Sequence, residues 1–238
     1  MPPRSPAQSA DLARLREQLI AAGRRLGARG LISAGEGNVS IRLGDGTILI
    51  TPSGRRKDEL AAGDLVIVPI RAGAGADADA DAATGPRPSS DVAIHRAVYQ
   101  ARADVVAIVH AHLPAAMALT LAGEVPDPAA LPETALLLPR LPFIPFATPG
   151  SVELAGAVAT SFAAGPEPLA GAVLLERHGA VAVGATLDQA VDRLELVEVL
   201  CRTWRDALLI RGAVTGAGAR AILSPPRPAP PRTVRRDR

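Results

Sequence analysis

Short apolar segments of strand length alternate with longer segments of helical periodicity along this 238-residue chain. Strands interleaved with helices in this way are typical of layered α/β folds, in which helices cover a sheet. An early hairpin limits the topology further, because VSIRL and TILIT alternate apolar and polar residues on either side of the turn Gly44-Asp45-Gly46. We therefore predict a single layered α/β/α domain with a mixed, largely antiparallel central sheet.

The individual elements are predicted from periodicity and from the residues that begin and end helices. Leucines at helical spacing indicate a first helix from Asp11 to Arg29, and Gly30 follows where a left-handed residue often ends a helix. Pro114 and Ser151 suit the starts of two later helices. We expect strands near 39–43, 47–51, 65–70, 105–110, 172–176 and 180–184, helices ending near 101 and 164 and spanning 187–210, and short apolar runs near 135–138 and 143–147.

The charge of the chain is divided unevenly between a body and a tail. Residues 220–238 hold six arginines and one aspartate, a net +5, whereas residues 1–219 carry 20 basic and 23 acidic side chains, a net −3. A mildly acidic body argues against nucleic-acid binding, and aromatic residues, at 2%, are too few to stack on bases. We expect a flexible N-terminus over 1–10, one domain over 11–219 with a low-complexity loop at 71–87, and a disordered Pro/Arg-rich tail.

The cysteine content and the N-terminal sequence bear on the compartment. Cys201, the one cysteine, lies in a helical pattern and is interpreted as a small buried hydrophobe, as expected where thiols stay reduced. The N-terminus lacks the apolar core of a signal peptide, and no stretch of about 18 apolar residues could span a membrane. We expect a cytoplasmic protein with no membrane or nucleic-acid partner.

Three of the four histidines stand at the ends of apolar strands. His110 and His112 form a His-x-His sequence after VVAIV, and His178 follows the strand near 172–176. Strand alternation turns residues i and i+2 to one face, so the first two imidazoles converge. Three neutral imidazoles with an open fourth position are a common catalytic zinc arrangement. The alternative is that they are polar strand ends with no shared ligand.

Three segments of small residues could present backbone N–H groups and hydroxyls to an anion. Helix N-termini and glycine-rich turns bind phosphate because their N–H groups are unpaired and the dipole is positive there. Each segment is also compatible with an ordinary turn or helix cap. GEGN lacks the spacing of a nucleotide-binding loop, so a nucleotide is not indicated. The candidate phosphate-binding residues are Gly37, Asn38, Ser53, Gly54, Ser89 and Ser90, with Thr51 beside the second segment.

Asp91 follows the two serines directly, in the first turn of a predicted helix. If the strand ending at His110 packs against this helix, the carboxylate can reach a metal-bound substrate and move a proton on the carbon beside its carbonyl. The alternative is an aspartate that only stabilises the helix dipole. His95, one turn further along, is interpreted as a solvent-facing or interface residue rather than a ligand.

Five motifs in this order resemble the class II aldolase/adducin family: GNVS (37–40), TPSG (51–54), PSSD (88–91), VHAH (109–112) and RHG (177–179). The resemblance extends from about Leu12 to Ile210. It implies that His110, His112 and His178 hold a catalytic zinc, that the candidate phosphate-binding residues hold the phosphate of a sugar phosphate, and that Asp91 is the catalytic carboxylate.

Features of two branches of this family occur together. The aspartate at position 91 is the residue that ribulose-phosphate 4-epimerases have at the matching position, so it resembles that branch. Fuculose-phosphate-type aldolases usually have a glutamate there. The stretch PFATPGSVELAGAVA (145–159) resembles the aldolases, and the His-Ala-Asp-Tyr segment of the epimerases is missing. Family aldolases also use a tyrosine of a neighbouring subunit as the acid that donates a proton. This chain has only Tyr99, in the helix after Asp91. Glu133 or water are the weak substitutes for that acid.

The resemblance implies a zinc-dependent class II aldolase, with another divalent metal possible. The reaction would cleave a ketose 1-phosphate resembling fuculose 1-phosphate, reversibly, to dihydroxyacetone phosphate and a small aldehyde. The alternatives are a sugar-phosphate 4-epimerase, dehydratase or decarboxylase on the same metal site, and a non-catalytic adducin-like interaction module. Because members of the family assemble in this way, we expect a homotetramer with active sites at subunit interfaces.

Overall fold

The computed structural model describes residues 6–71, 85–165 and 167–213. The Pro/Arg-rich tail expected over 220–238 lies outside the described residues, as does most of the low-complexity loop expected at 71–87. Within the described ranges, no helix is long and apolar enough to cross a membrane.

One central sheet joins the strands of the described residues. These are β1 (Asn38–Arg42), β2 (Thr47–Ile50), β3 (Val66–Pro69), β4 (Ala107–Ala111), β5 (Phe143–Ile144), β6 (Ala172–Leu175) and β7 (Gly179–Gly184). Their order in the sheet is β3-β2-β1-β4-β7-β6-β5, which puts β4 at the centre. Each neighbouring pair is antiparallel except β5 with β6. The prediction of a mixed, largely antiparallel sheet is confirmed.

Helices cover both faces of this sheet. They are α1 (Pro6–Ala28), α2 (Val92–Ala101), α3 (Pro114–Leu121), α4 (Pro132–Leu137), α5 (Val152–Ala163) and α6 (Leu187–Ala213). α2 packs against α5 on one face, whereas α1 and α3 pack against α6 on the other. The predicted α/β/α layering is therefore observed.

Residues of the central strand alternate between two hydrophobic cores. Ile108 belongs to the core beneath α2 and α5, and its neighbour Val109 belongs to the core beneath α1, α3 and α6. Both side chains are fully buried. A strand buried on both faces has no polar side to alternate with, which explains the almost continuous apolar run before His110.

Two predicted boundaries differ from the structure. α1 begins at Pro6, so residues 6–10 extend the helix instead of belonging to a flexible N-terminus. Proline is well suited to the first turn of a helix, because the backbone N–H groups of that turn have no partner within the helix and a missing N–H costs no hydrogen bond. For the same reason Pro132 begins α4, which contains most of the apolar run near 135–138. Only two residues of the run near 143–147 form a strand, β5.

Candidate metal centre

The three histidines at strand ends lie together. His110 is the penultimate residue of β4, His112 directly follows β4, and His178 lies in the turn between β6 and β7. One ring nitrogen from each lies within 4.8 Å of the other two. The ring centroids are 5.1 Å apart for His110 and His112, and 4.7 Å for each of the other two pairs. We call these three side chains the imidazole cluster.

Gly179 allows His178 to approach the other two histidines. Its φ of +91° lies in the left-handed region, and a Cβ atom there would stand 2.1 Å from the carbonyl oxygen of Ala111. A side chain at this position would therefore push β7 away from β4. The glycine of the RHG motif is required for the close packing that completes the imidazole cluster.

The protonation state of His110 suits a metal ligand. Its ring is fully buried and its Nδ1 lies 2.9 Å from the carbonyl oxygen of Ala180. A carbonyl only accepts hydrogen bonds, so Nδ1 carries the proton and Nε2 carries the lone pair. Burial lowers the pKa of His110, and the neighbouring His178 lowers it further, so the ring is neutral at pH 7.

Unpartnered nitrogens indicate that the imidazole cluster fits a metal ion. Among the described residues, His110 Nε2 and His178 Nδ1 are buried without a hydrogen-bond partner. Burial and then His112 lower the pKa of His178, which favours its neutral form as well. Buried polar atoms are normally satisfied, and three convergent neutral imidazoles are the donor set that zinc prefers. The cluster is therefore suited to a divalent ion such as zinc.

The Asp91 carboxylate lies beside the imidazole cluster. It is only 6% exposed, at the start of α2. Its Oδ2 accepts a hydrogen bond of 3.0 Å from the amide nitrogen of Asn38 and lies 3.8 Å from His110 Nε2. Its Oδ1 is buried and has no hydrogen-bond partner within the described ranges. Asp91 makes no side-chain cap hydrogen bond to α2, and its carboxylate instead lies between Asn38 and His110 in the lining of a cleft.

The candidate phosphate-binding segments line the same cleft as these groups. The TPSG and PSSD segments are joined by backbone hydrogen bonds, from Ser53 to Arg87 at 2.9 Å and from Ser89 to Thr51 at 3.2 Å. The cleft has a volume of about 470 Å³. Its lining residues are Gly35, Glu36, Gly37, Asn38, Ser53, Gly54, Lys57, Ser89, Ser90, Asp91, His112, Pro149, Arg177 and His178. The structure therefore brings together each residue proposed for the metal, the phosphate and the proton transfer, with His110 fully buried next to the rings of His112 and His178.

Lys57 is a functional candidate that the sequence analysis missed. It is the only lysine in the sequence and is 2% exposed. Its Nζ donates to the carbonyl oxygens of Gly35 and Arg55, at 2.6 and 2.7 Å. In the described part of the chain no carboxylate forms an ion pair with it. Burial lowers the pKa of Lys57, and the Asp91 carboxylate raises it. The sequence offers one signal for this residue, because Lys57 is a single lysine beside 25 arginines.

Glu36 and Arg177 also line the cleft and were not selected from the sequence. Glu36 Oε1 lies 3.8 Å from His112 Nδ1, and its other oxygen accepts a hydrogen bond of 2.8 Å from Ser33. The Arg177 guanidinium lies 4.6 Å from the centre of the Phe146 ring. Both residues lie between regular elements, where sequence periodicity carries no information about the direction in which a side chain points.

Two other expectations concern side chains outside this cleft. The interpretation of His95 as a solvent-facing or interface residue is wrong, because α2 buries it completely against β1. Tyr99 is also buried, and its hydroxyl lies 2.9 Å from Ser40 Oγ. Glu133 is exposed on α4. Neither Tyr99 nor Glu133, the side chain expected as a substitute for the tyrosine acid, is among the residues that line the cleft.

Comparison with known proteins finds similar proteins over most of the chain. Residues 17–205 match the class II aldolase and adducin N-terminal domain. A methylthioribulose-1-phosphate dehydratase of Acidiphilium cryptum is 34% identical over 210 residues, 82% of this chain and 92% of that protein. A 3-oxo-tetronate 4-phosphate decarboxylase of Cupriavidus necator is 33% identical over 195 residues, 80% and 83% of the two chains. The crystal structure of L-fuculose-1-phosphate aldolase from Thermus thermophilus has a TM-score of 0.70 and 31% identity, covering 86% of this chain and 99% of that one.

Proposed function

The chain belongs to the class II aldolase and adducin family, and we propose that it is a metal-dependent lyase that removes water from a ketose 1-phosphate. Retro-aldol cleavage of the same class of substrate is the second candidate. The observation that carries the proposal is the Asp91 carboxylate, which lies beside the imidazole cluster with one oxygen unpaired among the described residues. A carboxylate in that position is suited to moving a proton next to a polarised carbonyl.

The cleft and the names of two relatives support this substrate class. The dehydratase of Acidiphilium cryptum and the aldolase of Thermus thermophilus both carry a ketose 1-phosphate in their names. The serine and glycine segments would bind the phosphate through N–H and O–H groups. An ammonium has three donors, and Lys57 gives two of them to backbone carbonyls. We assign its third donor, and its charge, to the phosphate.

The residues of the cleft divide the chemistry between them. His110, His112 and His178 would hold a divalent ion, which when bound supplies Lewis acidity to the substrate carbonyl. Asp91 Oδ1 takes the proton from the carbon beside that carbonyl. The electrons of that C–H bond form a double bond to the next carbon, whose C–O bond breaks. The hydroxyl released there takes up one proton, returned from Asp91 or supplied by solvent, and leaves as water. Asn38 keeps Asp91 Oδ2 occupied, so that Oδ1 is the oxygen available to the substrate.

The position of Tyr99 favours loss of water over retro-aldol cleavage. Family aldolases draw an acidic tyrosine from a neighbouring subunit, and Tyr99 is the only tyrosine of this sequence. It is 2% exposed, and its hydroxyl is hydrogen-bonded to Ser40 beneath α2. A tyrosine held in this way cannot reach the cleft of another subunit. Retro-aldol cleavage remains second because of the 31% identity to the Thermus thermophilus aldolase.

Product analysis tests the proposal directly. The zinc-loaded protein is incubated with 5-methylthioribulose 1-phosphate and with fuculose 1-phosphate, and the products are identified by mass spectrometry. A product lighter by one water supports the dehydratase. Dihydroxyacetone phosphate, measured with a coupled dehydrogenase, supports the aldolase instead. An isomer of unchanged mass identifies an epimerase, and carbon dioxide from 3-oxo-tetronate 4-phosphate identifies a decarboxylase. No turnover of any of these compounds would favour the non-catalytic module.

A further inference from the structure

We infer that His95 is a positioning residue, which fixes the amide orientation of Asn38 and thereby the orientation of the Asp91 carboxylate. The part of this inference that concerns turnover rests on the proposed function. Four buried polar side chains extend from Asp91 into the core in one continuous chain of hydrogen bonds. In order from the carboxylate they are Asn38, His95, Ser40 and Tyr99.

The fold explains why these side chains meet. Asp91 and His95 are four residues apart at the start of α2, so they lie on one face of the helix. Asn38 and Ser40 are two residues apart on β1, so they lie on one face of the strand. The two faces pack against each other. Asn38 Oδ1 is 2.5 Å from His95 Nε2, and Ser40 Oγ is 2.6 Å from His95 Nδ1.

Donor and acceptor roles along the chain are determined from its carboxylate end. A carboxylate only accepts, so the amide nitrogen of Asn38 faces Asp91 and the amide oxygen faces His95. That oxygen also only accepts, so His95 carries its proton on Nε2. Burial lowers the pKa of His95 to about 4, against the opposing effect of the Asp91 carboxylate, so the ring is neutral at pH 7. His95 Nδ1 then accepts from Ser40, which has no second hydrogen to give. The Tyr99 hydroxyl therefore donates to Ser40 Oγ at 2.9 Å in preference to the Val106 carbonyl oxygen at 3.3 Å.

This arrangement gives His95 a specific effect on Asp91. An asparagine amide can rotate by half a turn with little change in shape, which would place Asn38 Oδ1 against Asp91 Oδ2. The Nε2–H group of His95 opposes that rotation because it requires an acceptor. The Asn38 N–H group therefore stays on Asp91 Oδ2, and Oδ1 remains the unpaired oxygen. An amide does not readily pass a proton from its oxygen to its nitrogen, so the chain transmits orientation and not protons.

A double-mutant cycle tests whether His95 acts through Asn38. His95→Phe keeps the ring volume without the N–H group, whereas His95→Gln can retain a donor at that position. We expect His95→Phe to lower kcat by about 10-fold with a smaller change in KM, and His95→Gln to lose less. In an Asn38→Ala background, His95→Phe should cause little further loss. Additive losses in the cycle would overturn the inference.

Two further measurements separate positioning from general destabilisation. Thr134→Val removes the hydrogen bonds of a buried side chain to the carbonyl oxygens of Pro128 and Leu131, at 2.6 and 3.1 Å, and Thr134 is not among the residues that line the cleft. This control should lower the Tm and leave kcat unchanged, and a similar loss of kcat in it would assign the His95 effect to stability. Zinc content, measured by elemental analysis, should stay the same in the His95 variants.

The ring tautomer of His95 provides a test that needs no substrate. In the ¹⁵N-labelled zinc-loaded protein at pH 7, long-range ¹H–¹⁵N correlation spectra distinguish a ring with Nε2–H from one with Nδ1–H. We expect the Nε2–H form for wild type, and a shifted Asn38 side-chain amide signal in His95→Phe. An Nδ1–H ring or an unchanged Asn38 signal would overturn the inference. Should wild type turn over no sugar phosphate, the proposed function fails, while these spectra still decide the role of His95.

Discussion

Asn38 on β1 lies directly opposite His110 on β4 in the antiparallel register of the two central strands. The pairing places Asn38, which donates a hydrogen bond to Asp91, beside His110, the first histidine of the imidazole cluster. Asp91 itself reaches this point from the other side, from α2, and comes within 3.8 Å of His110 Nε2. The separation between the carboxylate and the metal ligands is thus determined by a strand register, which is among the most rigid relationships in a fold.

The imidazole cluster should bind about one divalent ion per chain. His110→Ala removes the ligand whose lone pair is buried and unpartnered in the described part of the chain. Wild type and variant are loaded with excess zinc and desalted, and their metal content is measured by elemental analysis. We expect wild type to retain the ion and His110→Ala to lose it. Equal metal content in the two proteins would contradict the site.

Asp91→Asn should lose about 10²- to 10⁴-fold in turnover, the range for removing a general base. The amide keeps the size of the carboxylate and an oxygen that can accept from Asn38, so zinc content and phosphate affinity should be unchanged. Steady-state kinetics and elemental analysis are the measurements. Asp91→Glu, with the longer arm of the fuculose-phosphate-type aldolases, shows whether the shorter side chain determines the reaction. Normal turnover in Asp91→Asn would leave Asp91 as a structural residue.

Local patterns were sufficient to predict the elements that hold the site. The apolar run VVAIV predicted the strand that carries His110, and the two-residue spacing predicted that His112 turns to the same face. Whether a helical residue faces water depends on what packs against the helix, and the sequence around His95 carries no information about β1. His95 was therefore misassigned, although its spacing from Asp91 had been noted.

The burial of Lys57 could not be predicted for a similar reason. Its backbone carbonyl lies where a Cβ atom at Gly23 would be 2.1 Å away, so α1 packs tightly over the segment that follows TPSG. In sequence, Lys57 stands in a charged stretch with Arg55 and Arg56, both of which are exposed. A charged stretch of this kind usually predicts a solvated surface. Only tertiary packing distinguishes its one buried member.

We expect the protein to be a homotetramer with its clefts at subunit interfaces. Several large apolar side chains are exposed, as is typical of surfaces that associate: Leu121, Leu136, Leu137, Val152, Leu209 and Ile210. Light scattering measures the mass of the full chain and of a chain ending at Ala219, which should assemble equally because the Pro/Arg-rich tail is expected to lie outside the contacts. A fully active monomer would contradict the shared cleft, and dissociation of the shorter chain would give the tail a structural role.

The metal-free protein should lose stability as the pH falls from about 6.5 to about 4. The pKa of His95 is lowered from 6.5 to about 4, so within this range the unfolded chain binds a proton that the folded chain does not. The free energy of unfolding then decreases with falling pH, by up to about 3 kcal/mol from this residue. Denaturant unfolding in EDTA at pH 7 and pH 5 should show a smaller difference for His95→Gln than for wild type. His110 and His178 contribute in the same direction in both proteins. An equal difference in the two proteins would assign the pH dependence to those groups.

Lys57→Met should weaken phosphate binding by about 10-fold, because it removes the one buried cation among the described residues that line the cleft. Inorganic phosphate, titrated calorimetrically into the zinc-loaded protein, is the probe, and Lys57→Arg is the matched variant that retains the charge.

Because Lys57 is the only lysine, an amine reagent can label only this side chain and the N-terminus. In wild type we expect slow labelling of Lys57, since its Nζ is held by two carbonyls, and still slower labelling with phosphate present. Unchanged phosphate affinity in Lys57→Met, together with labelling that phosphate does not slow, would assign Lys57 to loop packing alone.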